Sequence, residues 1–176
     1  MPSDEELMAQ AAEGDMDAFE EVVRRNQQTA LNVAYRFLGD SVLAEDVAQD
    51  AFLKILSGAS RYKPTARFST YLYNVVWHLC IDTYRKKRPE SLEFGPDREQ
   101  EGLGPVETAL AGEQQALVWE AVQSLPPRQR MAVVLKQFEG MSYEDIARAL
   151  DCSPTAVDAL LVRAKRKLKD MLEGAV

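Results

Sequence analysis

Cysteine and histidine are scarce in this chain of 176 residues, which contains two cysteines and one histidine. Cys80 and Cys152 stand far apart, and neither belongs to a Cys-x-x-Cys pair. Zinc ribbons and disulfide frameworks depend on closely spaced cysteines, so the sequence argues against both and fits a reducing cytosol. His78 has no cysteine or histidine partner at metal-ligand spacing, and we therefore expect no metal site.

Long apolar runs are also missing from the sequence. The longest extend over only a few residues, whereas a helix needs about 20 to cross a bilayer. The first ten residues, MPSDEELMAQ, are acidic and do not resemble a secretory signal. These features predict a cytoplasmic protein without membrane insertion.

The sequence lacks a recognisable catalytic apparatus. It contains no glycine-rich phosphate loop, no evident pair of nucleophile and base, and no carboxylate cluster with metal-ligand spacing. We therefore expect no catalytic residues, no cofactor and no enzymatic activity.

Acidic residues outnumber basic ones, and the formal net charge is −7. The basic residues are nevertheless clustered, with seven against one acid in 61–88 and five against none in 163–169. Such clusters suit contact with phosphates, although cations also stabilise helix C-termini without binding a ligand. The charge pattern permits two nucleic-acid surfaces but does not require them.

Apolar residues recur at helical spacing along the chain, and no segment alternates as a strand would. Residues 89–108 interrupt this pattern with three prolines, three glycines and six acids, a composition typical of a linker. The sequence predicts an all-α protein of two small helical domains. An N-terminal domain over 1–88 and a C-terminal helix-turn-helix domain over 109–176 are joined by a flexible acidic linker over 89–108.

Polar residues mark where the predicted helices begin. Ser3, with a glutamate three residues later, fits a capping box, and Asp15 can cap the second helix. Ser41 is expected to open the third helix. Ser69 or Thr70 is expected to cap the fourth, which ends in a basic run.

The sharpest local pattern lies in 142–171. Ser142 and Ser153 are each placed to cap a helix, and Pro154 takes the first position of the second helix, where proline is tolerated. Two helices joined by a short turn, with basic residues in the second, predict a DNA-binding helix-turn-helix. An ordinary helical hairpin would have the same spacing.

The second of these helices has a face that points away from its apolar stripe. At 100° per residue that face contains Thr155, Asp158, Ala159, Val162, Arg166 and Lys169. Its first turns carry no arginine or lysine, so its basic residues suit the DNA backbone better than base edges.

The predicted fourth helix has two apolar sides, one of which belongs to a core. The other carries Tyr73, Trp77, Ile81 and Tyr84 next to a basic end. Such aromatic residues can stack on unpaired bases while cations hold the phosphates. Packing of the same residues on a neighbouring helix is the competing interpretation.

The predicted third helix carries a mixed acidic and apolar stripe. Asp46, Gln49, Asp50 and Leu53 fall at i, i+3, i+4 and i+7 and share one side. Such a stripe suits docking on a basic helical partner, and the alternative is a solvated surface.

Three segments, in this order, resemble the extracytoplasmic-function (ECF) family of RNA polymerase sigma factors. They are AEDVAQDAFLKI at 44–55, FSTYLYNVVWHLCIDTYRKKR at 68–88, and LPPRQRMAVVLKQFEGMSYEDIARALDCSPTAVDALLVRAKRKL at 125–168. The resemblance covers almost the whole chain. It implies an alternative sigma factor that binds core RNA polymerase, directs promoter-specific transcription initiation in stress responses, and catalyses nothing itself. It also implies an anti-sigma factor as a partner, which could hold the protein at the membrane.

The resemblance assigns residues to three surfaces. The polymerase-docking set, facing the β′ clamp coiled coil, is Asp46, Gln49, Asp50 and Leu53. The set for the minus-ten promoter element is Tyr73, Asn74, Trp77, His78, Arg85, Lys86, Lys87 and Arg88. The set for the minus-thirty-five element is Thr155, Asp158, Ala159, Arg163, Arg166 and Lys169. The resemblance also implies that the β subunit is a second polymerase contact and that the acidic linker runs towards the RNA exit path.

The chain departs from the family pattern at three places. It has Trp77-His78 where members usually have arginine-asparagine, and AVDALL at 156–161 where many have TVKSRL. It also has Val162 where a histidine often follows. Promoter preference is the property that these changes affect. Two other functions stay open: a sigma mimic that binds only an anti-sigma factor, and a stand-alone helix-turn-helix regulator that binds DNA as a dimer.

Overall fold

The computed structural model describes residues 1–87 and 105–174, and every regular element in those residues is helical. The N-terminal domain contains α1 (Asp4–Ala12), α2 (Met16–Leu38), α3 (Ser41–Ser57), a 3₁₀ turn (Ala59–Arg61) and α4 (Phe68–Lys87). The C-terminal domain contains α5 (Pro105–Gln123), α6 (Pro127–Val133), a π-helical turn (Val134–Phe138), α7 (Tyr143–Ala149) and α8 (Pro154–Gly174). The predicted all-α class is confirmed.

Helix α2 is central to the N-terminal domain and packs against α1, α3 and α4. Its inward side carries Val22, Val33 and Phe37, which are fully buried in one core with Met8 of α1 and Ile55 of α3. Each such side chain contributes about 1.5–3 kcal/mol through burial, before the entropy lost on folding is counted. The apolar spacing seen in the sequence therefore corresponds to the core face of this helix.

Two of the predicted helix starts are confirmed. Ser3 Oγ accepts from the Glu6 backbone amide at 3.1 Å, and Glu6 returns the bond to the Ser3 amide to complete a capping box. Asp15 Oδ1 accepts from the Ala18 amide at 3.1 Å. Both caps satisfy amides that have no partner within their own helix.

The predicted start of α3 at Ser41 is also confirmed. Ser41 is the first helical residue, and Asp40 is the cap. A single carboxylate oxygen of Asp40 accepts from the amides of both Val42 and Leu43, each at 3.0 Å. These bonds lower the pKa of Asp40, and the bond from the Leu43 amide has the largest effect. A carboxylate is also favoured at this end by the helix dipole.

Helix α4 begins at Phe68, ahead of the predicted caps Ser69 and Thr70. Its first amide is satisfied from another helix, because Glu5 Oε1 of α1 accepts from the Phe68 backbone nitrogen at 2.8 Å. This bond is the main cause that lowers the pKa of Glu5. The distant carboxylate of Glu5 therefore caps α4 in place of the expected hydroxyl of Ser69 or Thr70. For this reason the local sequence pattern placed the start of α4 too late.

Helix α5 begins inside the predicted linker, so residues 105–108 of that segment are helical. The helix is interrupted at Gly112, whose φ of 59° and ψ of 175° are accessible mainly to glycine. The remainder of the linker and Arg88 lie outside the described residues.

The C-terminal domain has a compact apolar interior. Leu125, Met131, Leu135, Ile146 and Leu150 are fully buried, and α5, α6 and α7 all pack against α8. Residues 150–153 join α7 to α8, so the predicted helix-turn-helix arrangement is present.

Replacing Glu5 with alanine should lower the free energy of unfolding by about 1 kcal/mol at pH 7, because the first amide of α4 loses its acceptor. The pKa of Glu5 is lower in the folded than in the unfolded chain, so its contribution is present above the unfolded value. The contribution disappears as the pH falls through the folded value. Urea unfolding at pH 7 and at about pH 3 measures both effects, since the ordinary glutamate pKa is about 4.3.

Glu20→Ala is the control, because Glu20 is exposed and makes no hydrogen bond or ion pair among the described residues. A Glu5→Ala deficit that is the same at both pH values would contradict the role of the ionised carboxylate.

Candidate nucleic-acid interface and docking surfaces

Helix α3 presents Asp46, Gln49, Asp50 and Leu53 to solvent, and we call these four residues the docking stripe. All four are exposed, and 59% of the surface of Leu53 is accessible. The opposite side of α3 is buried in the N-terminal core. The predicted separation of an inner apolar side from an outer mixed side is therefore confirmed.

A groove of about 580 Å³ runs between α2 and α3 beside the docking stripe. Gln49 and Leu53 line it from α3, and Val23 and Leu31 line it from α2. The contribution of α2 to this groove was not predicted from the sequence. Val23 and Leu31 are half-buried aliphatic residues on an otherwise polar side of α2, and they could have indicated it. Glu45 also lines the groove, and the exposed carboxylates of Asp46 and Asp50 lie on the same helix, so this mainly apolar groove has acidic residues nearby.

The four residues Tyr73, Asn74, Trp77 and His78 form what we call the α4 face. Two of them are deeply buried, with 6% of Tyr73 and 3% of Trp77 accessible. The Trp77 ring meets Phe37 edge-on at 5.7 Å between centroids, and the Arg128 guanidinium of α6 lies 5.8 Å from its centroid. The sequence left open whether Tyr73 and Trp77 form an exposed stacking surface or pack on neighbouring helices. In the structure they pack on neighbouring helices.

The polar atoms of the α4 face are bonded to the C-terminal domain. Tyr73 Oη donates to Glu139 Oε2 at 3.0 Å, and burial together with this carboxylate raises the pKa of Tyr73. Asn74 Nδ2 donates to the Ala149 carbonyl at 2.9 Å and to Asp151 Oδ2 at 3.1 Å. His78 Nε2 lies 2.7 Å from the same Asp151 oxygen.

The basic end of α4 is more accessible than the α4 face. Arg85, Lys86 and Lys87 are exposed, and Lys87 Nζ donates to Asp40 Oδ2 at 3.1 Å. Arg85 and Lys86 make no ion pair with any residue in 1–87 or 105–174. This end of the helix can therefore bind phosphates without rearrangement.

Helix α8 carries the remaining predicted residues, which we call the α8 face: Thr155, Asp158, Ala159, Arg163, Arg166 and Lys169. Ala159 is half-buried and the other five are exposed. Val157 and Ala164 point inward and are fully buried, so the helix is oriented as its apolar pattern predicted. No ion pair involves the three cations of this face among the described residues.

The turn of the helix-turn-helix is held by caps on both sides. Ser142 Oγ accepts from the Asp145 amide at 3.1 Å, and Ser153 Oγ accepts from the Ala156 amide at 3.0 Å, so both predicted caps are confirmed. Asp151 lies within the turn at a φ of 55°, a left-handed conformation that few residues other than glycine adopt.

Arg130 of α6 ties the two domains together. It is 4% accessible, and its guanidinium donates to the Phe37 carbonyl of α2 at 2.7 Å and to the carbonyls of Gln123 and Leu125 at 2.6 and 3.1 Å. Gln123 Nε2 donates to the Arg36 carbonyl of α2 at 2.5 Å. Neither residue was predicted from the sequence. The available indication was an arginine directly before the apolar run MAVVL.

The described residues contain no group of three or more histidine, cysteine or acidic side chains placed to hold a metal ion. None of their helices is long and apolar enough to cross a bilayer. Both cysteines are free thiols, and complete burial raises the pKa of Cys80.

Two family models match the chain. The model described as Sigma-70 region 2 matches residues 22–90, and that described as Sigma-70, region 4 matches residues 115–168. These segments contain the docking stripe, the α4 face with its basic end, and every residue of the α8 face except Lys169.

Known proteins resemble the chain over nearly its full length. The RNA polymerase sigma-H factor of Pseudomonas aeruginosa is 31% identical, with 97% of this chain and 94% of that protein covered. The ECF RNA polymerase sigma factor SigM of Mycobacterium tuberculosis is 32% identical, with 97% and 85% covered.

Solved structures have a similar fold. CnrH in complex with the cytosolic domain of CnrY superposes with a TM-score of 0.75 at 28% identity, covering 99% of this chain and 100% of that one. The sigma factor RpoE from Bartonella quintana, in complex with the anti-sigma factor NepR, gives 0.72 at 22% identity, covering 88% and 96%. The second likeness concerns the fold alone.

Replacing Arg130 with methionine should lower the free energy of unfolding by about 2–4 kcal/mol, because buried carbonyls lose their donor while the volume is kept. Urea denaturation at neutral pH measures this loss. Arg148→Met is the control, since Arg148 is exposed and should change stability by no more than about 0.5 kcal/mol. Equal unfolding midpoints for the two variants would contradict the assigned role of Arg130.

Proposed function

Since this chain belongs to the extracytoplasmic-function family of RNA polymerase sigma factors, we propose that its three helical surfaces divide the work of promoter-directed initiation. As an alternative sigma factor, it binds core RNA polymerase and directs promoter-specific transcription initiation. Sigma factors supply specificity while the polymerase supplies the chemistry, and we assign no catalytic residue or cofactor to this chain. The observation that carries the division of work is that separate helices expose an acidic-apolar stripe and a basic helix-turn-helix face.

The docking stripe and the neighbouring groove bind the coiled coil of the polymerase β′ clamp. An apolar trough with acidic edges is complementary to a helical partner that has basic residues beside an apolar seam. Exposure of all four stripe residues supports this role, because binding needs no local unfolding. The C-terminal domain contacts the β subunit.

The α4 face and the basic end of α4 read and open the minus-ten element. Tyr73 and Trp77 stack on unpaired bases, with Asn74 and His78 beside them, and the cations hold the phosphates. The juxtaposition of two aromatic rings and an accessible run of cations on one helix supports this assignment. Both rings must first leave the contacts that bury them.

The α8 face reads the minus-thirty-five element. Arg163, Arg166 and Lys169 contact the DNA backbone, and Asp158 accepts a hydrogen bond from the amino group of a cytosine in the major groove. Exposure of Asp158 in the second turn of α8 supports the base contact. A carboxylate is repelled by phosphate, so it is better suited to a base than to the backbone.

An anti-sigma protein is a further partner of this chain. CnrH, which is 28% identical to this chain, was solved in complex with the cytosolic domain of CnrY, and that complex supports the proposal. The chain acts in the cytoplasm, where core polymerase is found, and would be held at the membrane by an anti-sigma partner anchored there.

Run-off transcription tests the function directly. Core polymerase and fragmented genomic DNA are incubated with and without the purified protein, and new transcripts are mapped. Transcripts from a defined promoter set, together with weak promoter binding by the free protein, are expected. Tight duplex binding without polymerase would instead indicate a stand-alone regulator. Polymerase-independent binding to an anti-sigma protein, with no transcripts, would indicate a sigma mimic.

Replacing both Asp50 and Leu53 with alanine should weaken core polymerase binding by at least roughly tenfold, because the pair removes a charge and an apolar contact from the interface. Because both side chains are exposed, stability should change by about 0.5 kcal/mol or less. Fluorescence anisotropy titration and thermal melting give the two values.

The matched control for this pair is Met16→Ala with Asp170→Ala, which removes one exposed apolar side chain and one exposed carboxylate away from α3. Equal loss of polymerase binding in the control, or a large fall in melting temperature of the test variant, would rule out the docking role.

Replacing Asp158 with alanine should relax discrimination at one upstream cytosine by about 1–3 kcal/mol, because the acceptor for its amino group is removed. Binding of the holoenzyme to promoters carrying each base at every upstream position measures this. Asp170→Ala, on the same helix, should leave the preference unchanged. A uniform change at all positions would mean that Asp158 only favours the N-terminal dipole of α8, an effect of about 0.3–1 kcal/mol.

A further inference from the structure

Val162 is an apolar residue on the solvent-exposed side of α8. Its side chain is 48% accessible, and it belongs to neither of the two apolar core clusters formed by the described residues. Every other valine, leucine and methionine of α8 is buried or half-buried. Packing within the chain therefore does not account for an apolar residue at this position.

Helix formation does not account for Val162 either. A β-branched residue loses side-chain freedom in a helix and is slightly less favourable there than alanine, leucine, lysine or arginine. Those four residue types make up most of the other positions of α8. An exposed valine in the third turn of this helix therefore adds nothing to its stability.

The position of Val162 places it at the centre of the α8 face. At about 100° per residue, it falls about 20° from Thr155 and about 40° from Asp158 around the helix axis, on the side turned away from the core. Arg166 follows one turn later and about 40° away. The valine thus lies between the polar start of the α8 face and the cations that suit the DNA backbone.

The first turns of α8 restrict what the helix can recognise. They present Thr155, Asp158 and the half-buried Ala159, and the first cation of the α8 face is Arg163. Bidentate contacts from arginine or lysine to guanine are the commonest specific contacts in the major groove, and these turns cannot make them. Discrimination by this part of α8 must come from a carboxylate acceptor and from apolar groups.

A valine side chain can recognise one feature of the base edges. Its methyl groups neither donate nor accept hydrogen bonds, and the C5 methyl of thymine is the apolar group that the major groove presents. Against the edge of another base, valine would displace water from polar atoms without replacing the lost hydrogen bonds, which is unfavourable. An exposed valine on this face therefore favours thymine.

We propose that Val162 reads the methyl group of a thymine in the upstream element, close to the cytosine read by Asp158. The inference rests on the proposed role of the α8 face in reading the minus-thirty-five element. The two residues are about 6 Å apart along the helix axis, and successive bases of one strand are about 3.4 Å apart. The thymine therefore lies within roughly two base-pair steps of that cytosine.

Deoxyuridine tests the contact, because it lacks only the C5 methyl and keeps the polar groups and the pairing of thymine. Each thymine of the upstream element, in a promoter found by the run-off assay, is replaced in turn, and holoenzyme binding is measured by competition. Replacing the thymine that Val162 reads should weaken binding by roughly threefold to fivefold, the factor expected when one methyl group is withdrawn from an apolar contact.

Val162→Ala removes the protein side of the same contact. In this variant the deoxyuridine replacement should have little further effect, because both changes remove one shared interaction. The matched control is Val118→Ala, the same change at an exposed valine of α5, and it should keep the full deoxyuridine effect. Both valines are exposed, so circular dichroism should be unchanged in each variant.

A second base substitution separates the methyl group from the rest of thymine. At the sensitive position, the parent should bind a 5-methylcytosine–guanine pair more tightly than a cytosine–guanine pair. Val162→Ala should bind the two pairs equally. The two pairs have the same polar groups, so the difference between them depends on the methyl group alone.

Three results would overturn the inference: no thymine whose methyl group affects binding by the parent, an undiminished deoxyuridine effect in Val162→Ala, or loss of that effect in Val118→Ala. Absence of polymerase binding or of transcripts would refute the proposed function instead. In that case duplexes selected from a random pool by the free full-length chain at low salt, where phosphate contacts are stronger, replace the promoter. The same methyl comparison then decides whether Val162 reads thymine.

Discussion

Helix α2 ends with the carbonyls of Arg36 and Phe37 directed at the C-terminal domain, and the arrangement of the two domains depends on how those carbonyls are satisfied. Gln123 donates to the first, and the buried guanidinium of Arg130 donates to the second. Four carbonyls at the end of any helix lack partners within it, and a cation is favoured there by the helix dipole. In the opposite direction, Asn74 of α4 donates to the terminal carbonyl of α7. Each domain thus caps a helix of the other.

This reciprocal capping brings together the aromatic residues of α4 and the turn of the helix-turn-helix. Phe37 is buried between Trp77, Tyr84 and the Arg130 guanidinium, so the α2 terminus and the α4 face share one packing environment. A residue that stacks on a base must be apolar and accessible, whereas an accessible aromatic pair on a free protein invites non-specific association. In this structure the C-terminal domain covers the pair.

The charged residues are also divided among separate surfaces of the chain. The net charge of −7 disfavours loose binding to nucleic acid, while the cations at the end of α4 and on α8 remain exposed for phosphate contacts. The acidic residues of α3 face outward beside an apolar groove, so one chain carries one acidic and apolar surface and two basic ones. Weak individual surfaces gain affinity when a polymerase holds them in register.

The sequence by itself determined the helical class, the inner and outer sides of α3 and α8, the turn between α7 and α8, and the caps Ser3 and Asp15. All of these depend on residues within a few positions of one another, where helical geometry leaves little choice. Only the tertiary structure decided that Glu5 caps α4, that Arg130 caps α2, and that Tyr73 and Trp77 are covered. In the sequence those two aromatic residues fitted equally well an open stacking surface and a packed interface. The partners of Tyr73 and Trp77 lie at least 40 positions away along the chain. Local spacing therefore carries no information about which carboxylate or ring will meet them.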